Sequence, residues 1–537
     1  MTNIEIAQHF ALLADLMELH GENSFKIKSY EYAGRTLKKI NESLSDLSIE
    51  ELEKVDGVGK AIAAKIFHLA HTGKLDLLEK YLAITPIGVV EMMRLKGIGS
   101  KKIAQLWKEL NIESIGELEY ACQENRLIEL KGFGFKTQEN ILQQIQFIKQ
   151  SAHQFLWSNL EELANEILVE IQQDYPSFLI STAGDFRRKK ITLEGIDFLM
   201  ALEDDAIQTF ILEKYKQYPV YFEFCSQDDF YLKLLQMSSD KEHFGFLSFK
   251  LQASKYTSEN QIYEEAGFPF IAPELRDNQI EWKLVEENKL DKLVDLQDIK
   301  GVVHAHSTYS DGTNTLEDLA TYCKHQGFEY LVISDHSKSA FYANGLSEER
   351  IILQHQAIDK LNEQLFPFKI FKSIESDILY DGELDYDTSI LKSFDMVIAS
   401  VHSQLKMNEA RAMLRLINAI ENPYTTILGH PTGRLLLSRA GYPIDHKKII
   451  DACAANQVCI ELNANPYRLD LDYKWISYCQ EKGVKISINP DAHNLRGVQD
   501  IRYGIFAARK GALLKENTLN ALSKDNFEKY IKTKNSQ

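Results

Sequence analysis

The sequence predicts a multidomain protein of α plus α/β class, with a helical front part, a mixed middle part and a βα barrel at the end. At 537 residues the chain is too long for one hydrophobic core. Apolar residues recur at helical spacing up to about residue 150, and short apolar runs alternate with helical stretches after residue 300. From these shifts in pattern we expect domains at 1–82, 83–152, 153–295 and 296–537.

The helical front part contains a short unit three times: an apolar residue, a Gly-x-Gly step and an amphipathic helix. The copies are EKVDGVGKAIAAKI (53–66), MRLKGIGSKKIAQLW (93–107) and IELKGFGFKTQENIL (128–142). Glycine lets the backbone approach a phosphate, and the amides that open the next helix donate hydrogen bonds to it. A single Gly-x-Gly is also a common helix end, but three copies favour contact with the DNA backbone. The predicted DNA-binding residues are Gly57, Gly59, Lys60, Gly97, Gly99, Lys101, Gly132, Gly134 and Lys136.

The middle part mixes strand and helix patterns. PSFLISTAGDF and YPVYFEFC read as strands, and DDFYLKLLQM reads as a helix. A charged connector over 271–303 has little core potential, so the boundary is placed near residue 295.

Seven apolar runs follow in a βα rhythm, and each ends in polar residues. They are GVVHAHS, YLVISDHS, FKIFKSIESDI, DMVIASVHS, TTILGHP, VCIELNAN and KISINPDAH. Such runs suit the strands of a buried parallel barrel, in which the active site lies at the carboxyl ends of the strands.

These polar strand ends form a candidate metal centre. Its ligands would be His304, His306, Asp311, His336, Glu375, His402, His430, Asp491 and His493. Alternation along a strand puts His304 and His306 on one face, and Asp491 and His493 repeat the spacing. Any one histidine is more often a core or surface residue, but six of the nine in this part fall at strand ends. Imidazole and carboxylate ligands without thiolates suit hydrolysis with two or three ions of Zn, Mn or Fe.

The charge and the cysteine content limit the kinds of partner and compartment that the sequence predicts. The net charge is −17, yet residues 1–150 carry 19 Lys and Arg against 21 Asp and Glu, so the rest of the chain is the acidic part. That part must meet any polyanion through metals or local cations. The six scattered cysteines contain no C-x-x-C, and no run is long and apolar enough for a membrane. We expect a cytoplasmic protein with reduced thiols, with no membrane partner and no identifiable protein partner.

The motifs H304-A-H306, S310-D311-G312, S334-D335-H336, G429-H430-P431 and D491-A-H493 resemble the PHP (polymerase and histidinol phosphatase) family over about 300–520. The resemblance implies a distorted seven-stranded βα barrel with three ions. The first ion would take His304, His306, Glu375 and Asp491. The second would take Glu375, His402 and His430, and the third Asp311, His336 and His493. Catalysis would fall to Asp311, His336, His493 and Glu375, with Arg434 in GHPTGR gripping a phosphate. Arg468 in NANPYRLDL lies near the same rim and could grip a phosphate too, and each of the two arginines could equally be an ordinary surface residue.

The order of the parts resembles bacterial and archaeal-type DNA polymerase X over nearly the whole chain, including SSDKEHF (238–244) and IAPELRDNQIE. The resemblance implies a lyase-like helix-hairpin-helix domain, a second, fingers-like one, a nucleotidyltransferase palm and thumb, and the PHP barrel. Lys65 falls where family members with lyase activity carry a Schiff-base lysine, although it fits a solvated helix face equally well.

The palm departs from the polymerase pattern in AGDFRRKKITLEGIDFLM (183–200). Asp185 stands where the family has serine, and Gly195 stands where it has the first catalytic carboxylate. Asp197 remains, and the third carboxylate aligns near Tyr221. Two Mg²⁺ ions need clustered carboxylates, so we expect the palm to serve as a scaffold or a DNA-positioning surface, with Mg²⁺ binding there as the alternative.

The leading hypothesis is a metal-dependent DNA phosphodiesterase of DNA repair that acts on duplexes with ends or gaps. It would be a 3′–5′ exonuclease or would process abasic sites. The alternatives are an active DNA-directed DNA polymerase, a small-molecule phosphatase of the histidinol-phosphatase type, and a DNA-end-binding protein with residual nuclease activity.

Overall fold

The computed structural model describes the chain except for residues 38–39, 41, 56–57, 96, 129, 151–153, 254, 278–279 and 536–537. It contains two compact units, Met1–Gln123 with Leu130–Gln146, and Glu124–Glu129 with Phe147–Gln537. Two predictions lie outside the described residues: the DNA contact at Gly57 and the domain boundary between residues 152 and 153.

The first unit is helical throughout the part that the structure describes. Its helices are α1 (Asn3–Leu19), α2 (Ser24–Leu37), α3 (Ile49–Leu52), α4 (Lys60–Thr72), α5 (Asp76–Ile84), α6 (Ile87–Met92), α7 (Ser100–Leu110), α8 (Ile115–Gln123) and α9 (Phe135–Gln150), the last running past the end of the unit. Thr2 opens α1 in a capping box with Glu5. Ile6, Phe10 and Leu13 then recur at helical spacing and are fully buried, which is the amphipathic pattern expected of a core-facing helix.

The second unit begins with the mixed part of the chain. Its elements are β1 (Phe155–Leu156), α10 (Trp157–Asp174), β2 (Ile180–Ala183), α11 (Gly184–Arg187), β3 (Thr192–Leu193), β4 (Ile196–Ala201), α12 (Asp205–Tyr215), β5 (Val220–Cys225), α13 (Phe230–Met237), α14 (Lys241–Ser248), α15 (Glu259–Ala266) and α16 (Glu281–Glu286). β4 pairs antiparallel with β2 and parallel with β5, and β1 pairs antiparallel with β3. β2, β5 and α13 fall where the apolar patterns predict two strands and a helix, whereas β1, β3 and β4 were not predicted.

The two stretches that resemble polymerase X outside the barrel form a buried polar network. His243, from SSDKEHF, is fully buried between the Glu281 carboxylate and the Tyr263 hydroxyl, each 2.9 Å from a ring nitrogen. Arg276, from IAPELRDNQIE, is also fully buried and donates to Glu259 at 2.6 Å. Buried polar groups must be paired in this way, so these stretches stabilise the fold.

The barrel follows, with seven parallel strands in sequential order. They are β6 (Gly301–Ala305), β7 (Tyr330–Ile333), β8 (Lys369–Asp377), β9 (Met396–Ser400), β10 (Thr425–Leu428), β11 (Cys459–Asn463) and β12 (Ile486–Asn489). Ala305 bridges to Ala492, and the His306 amide donates to the Ala492 carbonyl at 2.8 Å. These bonds nearly close the barrel between its first and last strands. All seven predicted strands are confirmed.

Helices cover the outside of the barrel and leave its strands buried on both faces. They are α17 (Leu316–His325), α18 (Glu348–Leu365), α19 (Thr388–Leu391), α20 (Glu409–Glu421), α21 (His446–Ala455), α22 (Ile476–Glu481), α23 (Ile501–Lys510) and α24 (Lys524–Asn535). Burial on two faces explains why the strands read as continuous apolar runs. Of the helices described, none has the length and apolar character needed to span a membrane.

Candidate metal centre

The predicted metal ligands lie at the carboxyl ends of the barrel strands or in the loops that follow. His304 belongs to β6 and Glu375 to the end of β8. The others come shortly after a strand: His306 and Asp311 after β6, His336 after β7, His402 after β9, His430 after β10, and Asp491 and His493 after β12. Parallel strands end on one side of a barrel, so these side chains converge. None of the nine side chains is more than 4% exposed.

Two ligands owe their position to local backbone that strand alternation does not predict. His304 has a φ of 68°, and the pairing of β6 with β7 shifts register between Val303 and Ala305. Asp491 has a φ of 52° beyond the end of β12. The predicted convergence therefore comes from a bulge and left-handed residues rather than from regular strands. Such backbone is costly and persists only where its surroundings enforce it.

Asp311, His336 and His493 form one group of ligands. The Nε2 atoms of His336 and His493 lie 3.6 and 3.5 Å from the two carboxylate oxygens of Asp311. His306 Nδ1 lies 3.9 Å from Asp311 Oδ1. The structure thus brings together the residues that the PHP resemblance assigned to the third ion, and it adds His306 beside them.

A second group combines His304, His306, Glu375 and Asp491. His304 Nε2 lies 3.3 Å from Glu375 Oε1 and 3.4 Å from Asp491 Oδ1. His306 Nε2 lies 3.0 Å from Asp491 Oδ1 and 3.7 Å from Glu375 Oε2. These are the residues that the resemblance assigned to the first ion.

Glu375 also faces a third group, which consists of His402 and His430. The Nε2 atoms of His402 and His430 lie 3.1 and 3.0 Å from Glu375 Oε1. His336 Nδ1 reaches Glu375 Oε2 at 3.0 Å. Glu375 is therefore the common neighbour of all three groups.

The cluster fits divalent metal ions. Within the described chain, buried ligand atoms without a hydrogen-bond partner include His304 Nε2, His336 Nε2, His493 Nε2, Asp311 Oδ2 and Glu375 Oε2. An unpaired buried polar atom is costly. Ligands about 2.1 Å from one tetrahedral ion are roughly 3.4 Å apart, and the distances within the groups run from 3.0 to 3.9 Å. Zn, Mn and Fe all accept this donor set.

The electrostatics of the cluster favour cations. Burial opposes a charge on His402, but Glu375 and Asp377 outweigh it and raise the pKa of His402 to about 10. Burial likewise opposes a charge on His493, but Asp311 raises its pKa to about 10. The carboxylates thus attract positive charge into a buried site, whether it is a proton or a metal ion.

Two buried carboxylates that the sequence analysis did not single out orient metal-facing imidazoles. His304 Nδ1 donates to Glu461 at 2.6 Å, and His402 Nδ1 donates to Asp377 at 2.5 Å. Glu461 is fully buried and also accepts from the amide of Asn489 at 2.8 Å. These bonds turn Nε2 of each imidazole toward the other ligands. The available signal was a carboxylate inside the apolar runs VCIELNAN and FKIFKSIESDI.

Asp335 shapes the loop that carries Asp311. Its carboxylate accepts from the backbone amides and hydroxyls of Ser307 and Ser310, at 2.5 to 3.1 Å. Gln354 donates a further bond at 2.6 Å. The Asp335 carboxylate of S334-D335-H336 thus supports the loop rather than the ligand cluster.

Among the described residues, no hydrogen bond joins the Arg434 guanidinium to a candidate metal ligand. It donates to the carbonyls of Arg468 and Leu469 and to the Asp472 carboxylate, the last at 2.6 Å. These contacts tie the loop after β11 to the loop after β10. The phosphate contact assigned to Arg434 stays a prediction, and the geometry favours a positioning role.

The palm residues compared with polymerases lie on β4 and β5. Asp197 pairs across the strands with Tyr221. A Cβ atom added to Gly195 would lie 2.6 Å from both the Pro219 carbonyl oxygen and the Tyr221 ring. A carboxylate at position 195 would therefore require this part of the palm to move. Burial, together with the charges of Asp185 and Glu223, raises the pKa of Asp197.

Two of the repeated glycine hairpins open helices that no side chain caps. Gly59 and Gly99 are the N-cap residues of α4 and α7, with no side-chain cap bond. The first amides of these helices have no intrahelical acceptor. They are available to a phosphate in the way that the sequence predicts.

The remaining hairpin residues agree in shape with that prediction. Gly97 and Gly132 have φ values of 84° and 88°, which favour glycine. Gly134 directly precedes α9. A Cβ added at Gly59, Gly97, Gly99 or Gly134 would meet nothing within 4 Å, so the backbone there faces open space. Lys60, Lys101 and Lys136 are exposed beside these turns.

Comparisons with known proteins agree with the order of the parts. A helix-hairpin-helix domain model matches residues 1–75, a SAM-like helix-hairpin-helix tandem matches 89–146, and a PHP domain matches 303–465. The chain is 33% identical to the DNA polymerase/3′-5′ exonuclease PolX of Bacillus subtilis (strain 168), over 98% of this chain and 99% of that protein. The chain belongs to the PolX family.

Its PHP barrel also has relatives outside PolX. A probable phosphatase of Thermoanaerobacter sp. (strain X514) is 29% identical over 184 residues, covering 32% of this chain and 72% of the phosphatase. One of Syntrophotalea carbinolica is 23% identical over 232 residues, covering 41% of this chain and 90% of that protein.

Proposed function

We propose that the chain is a metal-dependent DNA phosphodiesterase that removes nucleotides from 3′ ends during DNA repair. The observation that carries the proposal is the convergence of all nine predicted ligands in three groups around Glu375. The Bacillus subtilis relative, whose name includes 3′-5′ exonuclease, aligns over nearly the whole chain.

Within this proposal the ligands have distinct tasks. Divalent ions held there supply an activated water and neutralise charge on a phosphodiester. Glu461 and Asp377 hold His304 and His402 in the tautomer that presents Nε2. Asp311, with His336 and His493, would hold the ion most open to the substrate.

The glycine hairpins would hold the DNA backbone. Uncapped amides at Gly59 and Gly99 and the exposed Lys60, Lys101 and Lys136 offer donors and charge for phosphates. Such contacts carry no base sequence information, which suits a repair enzyme that meets ends of any sequence.

The palm would act as a scaffold rather than as a polymerase. Gly195 has no room for a carboxylate beside Tyr221, and Asp197 is left as one carboxylate of the family pair. We do not assign deoxyribose-phosphate lyase activity to Lys65. Its Nζ donates to the Ala61 carbonyl at 3.2 Å and lies 6.0 Å from the Tyr30 ring centroid.

The test uses a labelled primer–template duplex with a recessed 3′ end, Mn²⁺ and all four dNTPs. Wild type is compared with the His336→Ala and His493→Ala variants. We expect wild type alone to shorten the primer. Lengthening of the primer would overturn the scaffold role of the palm. If the primer stays intact, or if both variants shorten it as well as wild type, the PHP exonuclease proposal fails. A parallel duplex with one abasic site reports incision there.

A second candidate is hydrolysis of small phosphate monoesters, which the probable phosphatases that align with the barrel support. Turnover of p-nitrophenyl phosphate and of a 3′-terminal nucleotide, measured on the same preparation, separates the two. Faster turnover of the monoester by His336-dependent chemistry would favour the phosphatase.

A further inference from the structure

The loops that follow β8 and β9 and the start of α20 line an open pocket with a volume of about 390 Å³. Its lining includes Tyr380, Gln404, Met407, Asn408 and Arg411. This volume lies in the range of small-ligand pockets, so it suits one nucleotide rather than a duplex.

The walls of this pocket are joined to the metal ligands. Tyr380 lies three residues beyond Asp377, the hydrogen-bond partner of His402, and Gln404 lies two residues beyond His402. Arg415 is 1% exposed and fastens the two loops, donating to the carbonyls of Leu379 and Ser403 at 3.0 Å each. The pocket walls therefore belong to the chain segments that directly follow Asp377 and His402.

Tyr380 and Arg411 give the pocket a character suited to a nucleotide. The Arg411 guanidinium carbon lies 3.4 Å from the centroid of the Tyr380 ring, and Tyr380 is still 58% exposed. Arg411 Nε is buried without a hydrogen-bond partner, and no carboxylate of the described chain pairs with its guanidinium. An unpaired guanidinium in a partly buried place calls for an anion, and phosphate matches it bidentately.

We infer that this pocket is a nucleotide subsite for the 3′ strand, in which a base stacks on Tyr380 and a backbone phosphate binds Arg411. The inference rests on the proposed function, since it assigns the place of one nucleotide next to the hydrolysed bond. Aromatic stacking accepts any base, so the subsite holds the strand without sequence preference. A phosphatase for small monoesters has no need of it.

The test combines substrate and protein changes. Substrates are single strands with a natural 3′ end, or with a tetrahydrofuran abasic analogue at the terminal or penultimate position. Tyr380→Leu should raise KM for the natural strand roughly tenfold and leave kcat and metal content unchanged. One of the abasic analogues should cost wild type the same factor, and Tyr380→Leu should then cost nothing more.

Arg411→Gln has a different signature. It should raise KM for natural and abasic strands alike, and lower the slope of log KM against log salt by about 0.7, the value for one phosphate contact on a single strand. Phe366→Leu is the matched aromatic control, because Phe366 is 78% exposed, lies 5.9 Å from Lys524 Nζ and precedes β8 at the opposite end of the barrel. Lys392→Gln is the charge control, on an exposed residue before β9.

A binding measurement separates failure of the subsite from failure of the exonuclease. Thymidine 5′-monophosphate is titrated into wild type, the two variants and the two controls by calorimetry. Weaker binding in Tyr380→Leu and Arg411→Gln alone supports the subsite even if wild type leaves DNA intact. DNA shortening and nucleotide binding that are the same in variants and controls would overturn the subsite and leave the exonuclease standing.

Discussion

At the scale of single residues, the buried carboxylates behind the imidazoles decide how the metal ligands are presented. Glu461 accepts from His304 Nδ1 and from the backbone amide of His430, so it holds two ligands from two strands. Replacement by glutamine keeps the shape but removes the charge. Glu461→Gln should therefore weaken metal affinity roughly 10- to 100-fold, with the fold intact.

Metal content of Glu461→Gln after dialysis, and activity as a function of added Mn²⁺, check this prediction. Activity should return at high Mn²⁺. Glu481→Gln, on an exposed site of α22, is the control. Wild-type metal content in Glu461→Gln after dialysis would show that the carboxylate does not tune the site.

A substitution at Arg434 distinguishes a phosphate-binding role of this side chain from a structural role. Its bonds to Leu469 and Asp472 are charge-assisted, so Arg434→Gln should lower the free energy of unfolding by about 1.5–3 kcal/mol. KM for DNA should change little. Denaturant unfolding and steady-state kinetics on one preparation decide the matter, and a large rise in KM with normal stability would restore the phosphate role.

At the scale of elements, the glycine hairpins contain two kinds of glycine. Gly97 has a φ of 84°, whereas Gly59 has a φ of −79°. Both have open space where a Cβ would lie, so a difference between them can come only from backbone strain. Gly97→Ala should destabilise the first unit by about 1–2 kcal/mol, and Gly59→Ala should be nearly neutral. Equal unfolding temperatures for the two variants would contradict the left-handed turn.

Helix α23 begins beside a carboxyl group with a shifted pKa. Burial raises the pKa of Asp500 to about 7, against the opposing charges of Arg502 and Arg496. The folded state thus binds this proton more tightly than the unfolded state, whose pKa is about 3.9. Stability from this group is present below about pH 4 and is lost as the pH rises to about 7.

Asp500→Asn removes that dependence. Between pH 5 and pH 8 its stability relative to wild type should rise by roughly 2–3 kcal/mol. Thermal unfolding at the two pH values measures the change, with Asp525→Asn, 87% exposed on α24, as the control. A constant difference between variant and wild type at both pH values would rule out the shifted carboxyl.

At the scale of the whole molecule, metal binding should stabilise one unit of the chain and leave the other unchanged. Every ligand belongs to the second unit, where Asp311, Glu375 and Asp491 lie among buried imidazoles. An ion that binds only the folded state adds about 4 kcal/mol at a thousandfold excess over Kd. In a unit of about 400 residues, which unfolds with an entropy of about 2.1 cal/mol/K per residue, that corresponds to roughly 5 °C.

Calorimetry with EDTA, followed by readdition of Mn²⁺, tests this expectation. The midpoint temperature of one unfolding transition should fall with EDTA and recover with Mn²⁺, while that of the other transition stays unchanged. His336→Ala with His493→Ala should reduce the shift. Two transitions that move together, or none that moves, would argue against ions held within the second unit alone.

The sequence alone predicted the barrel and located its candidate ligands because both leave local signals. Seven buried strands read as continuous apolar runs, and ligands such as His336 and His430 follow those runs within a few residues. The Gly-x-Gly repeats likewise located the starts of α4, α7 and α9, and the turns before α7 and α9 use the positive φ of Gly97 and Gly132. Those features depend on residues close together in the chain.

Tertiary structure decided what depends on residues far apart. Glu461 meets His304 across 157 positions of sequence, and no local pattern connects them. The register shift beside His304 lies where the barrel closes against Ala492, and strand alternation does not predict it. Tyr380 and Arg411 lie 31 positions apart in the sequence and line one pocket, whose two loops Arg415 joins by hydrogen bonds. A sequence records periodicity and residue type. The closing of a barrel determines which side chains from distant parts of the sequence meet, and those contacts determine the orientation and burial of each side chain.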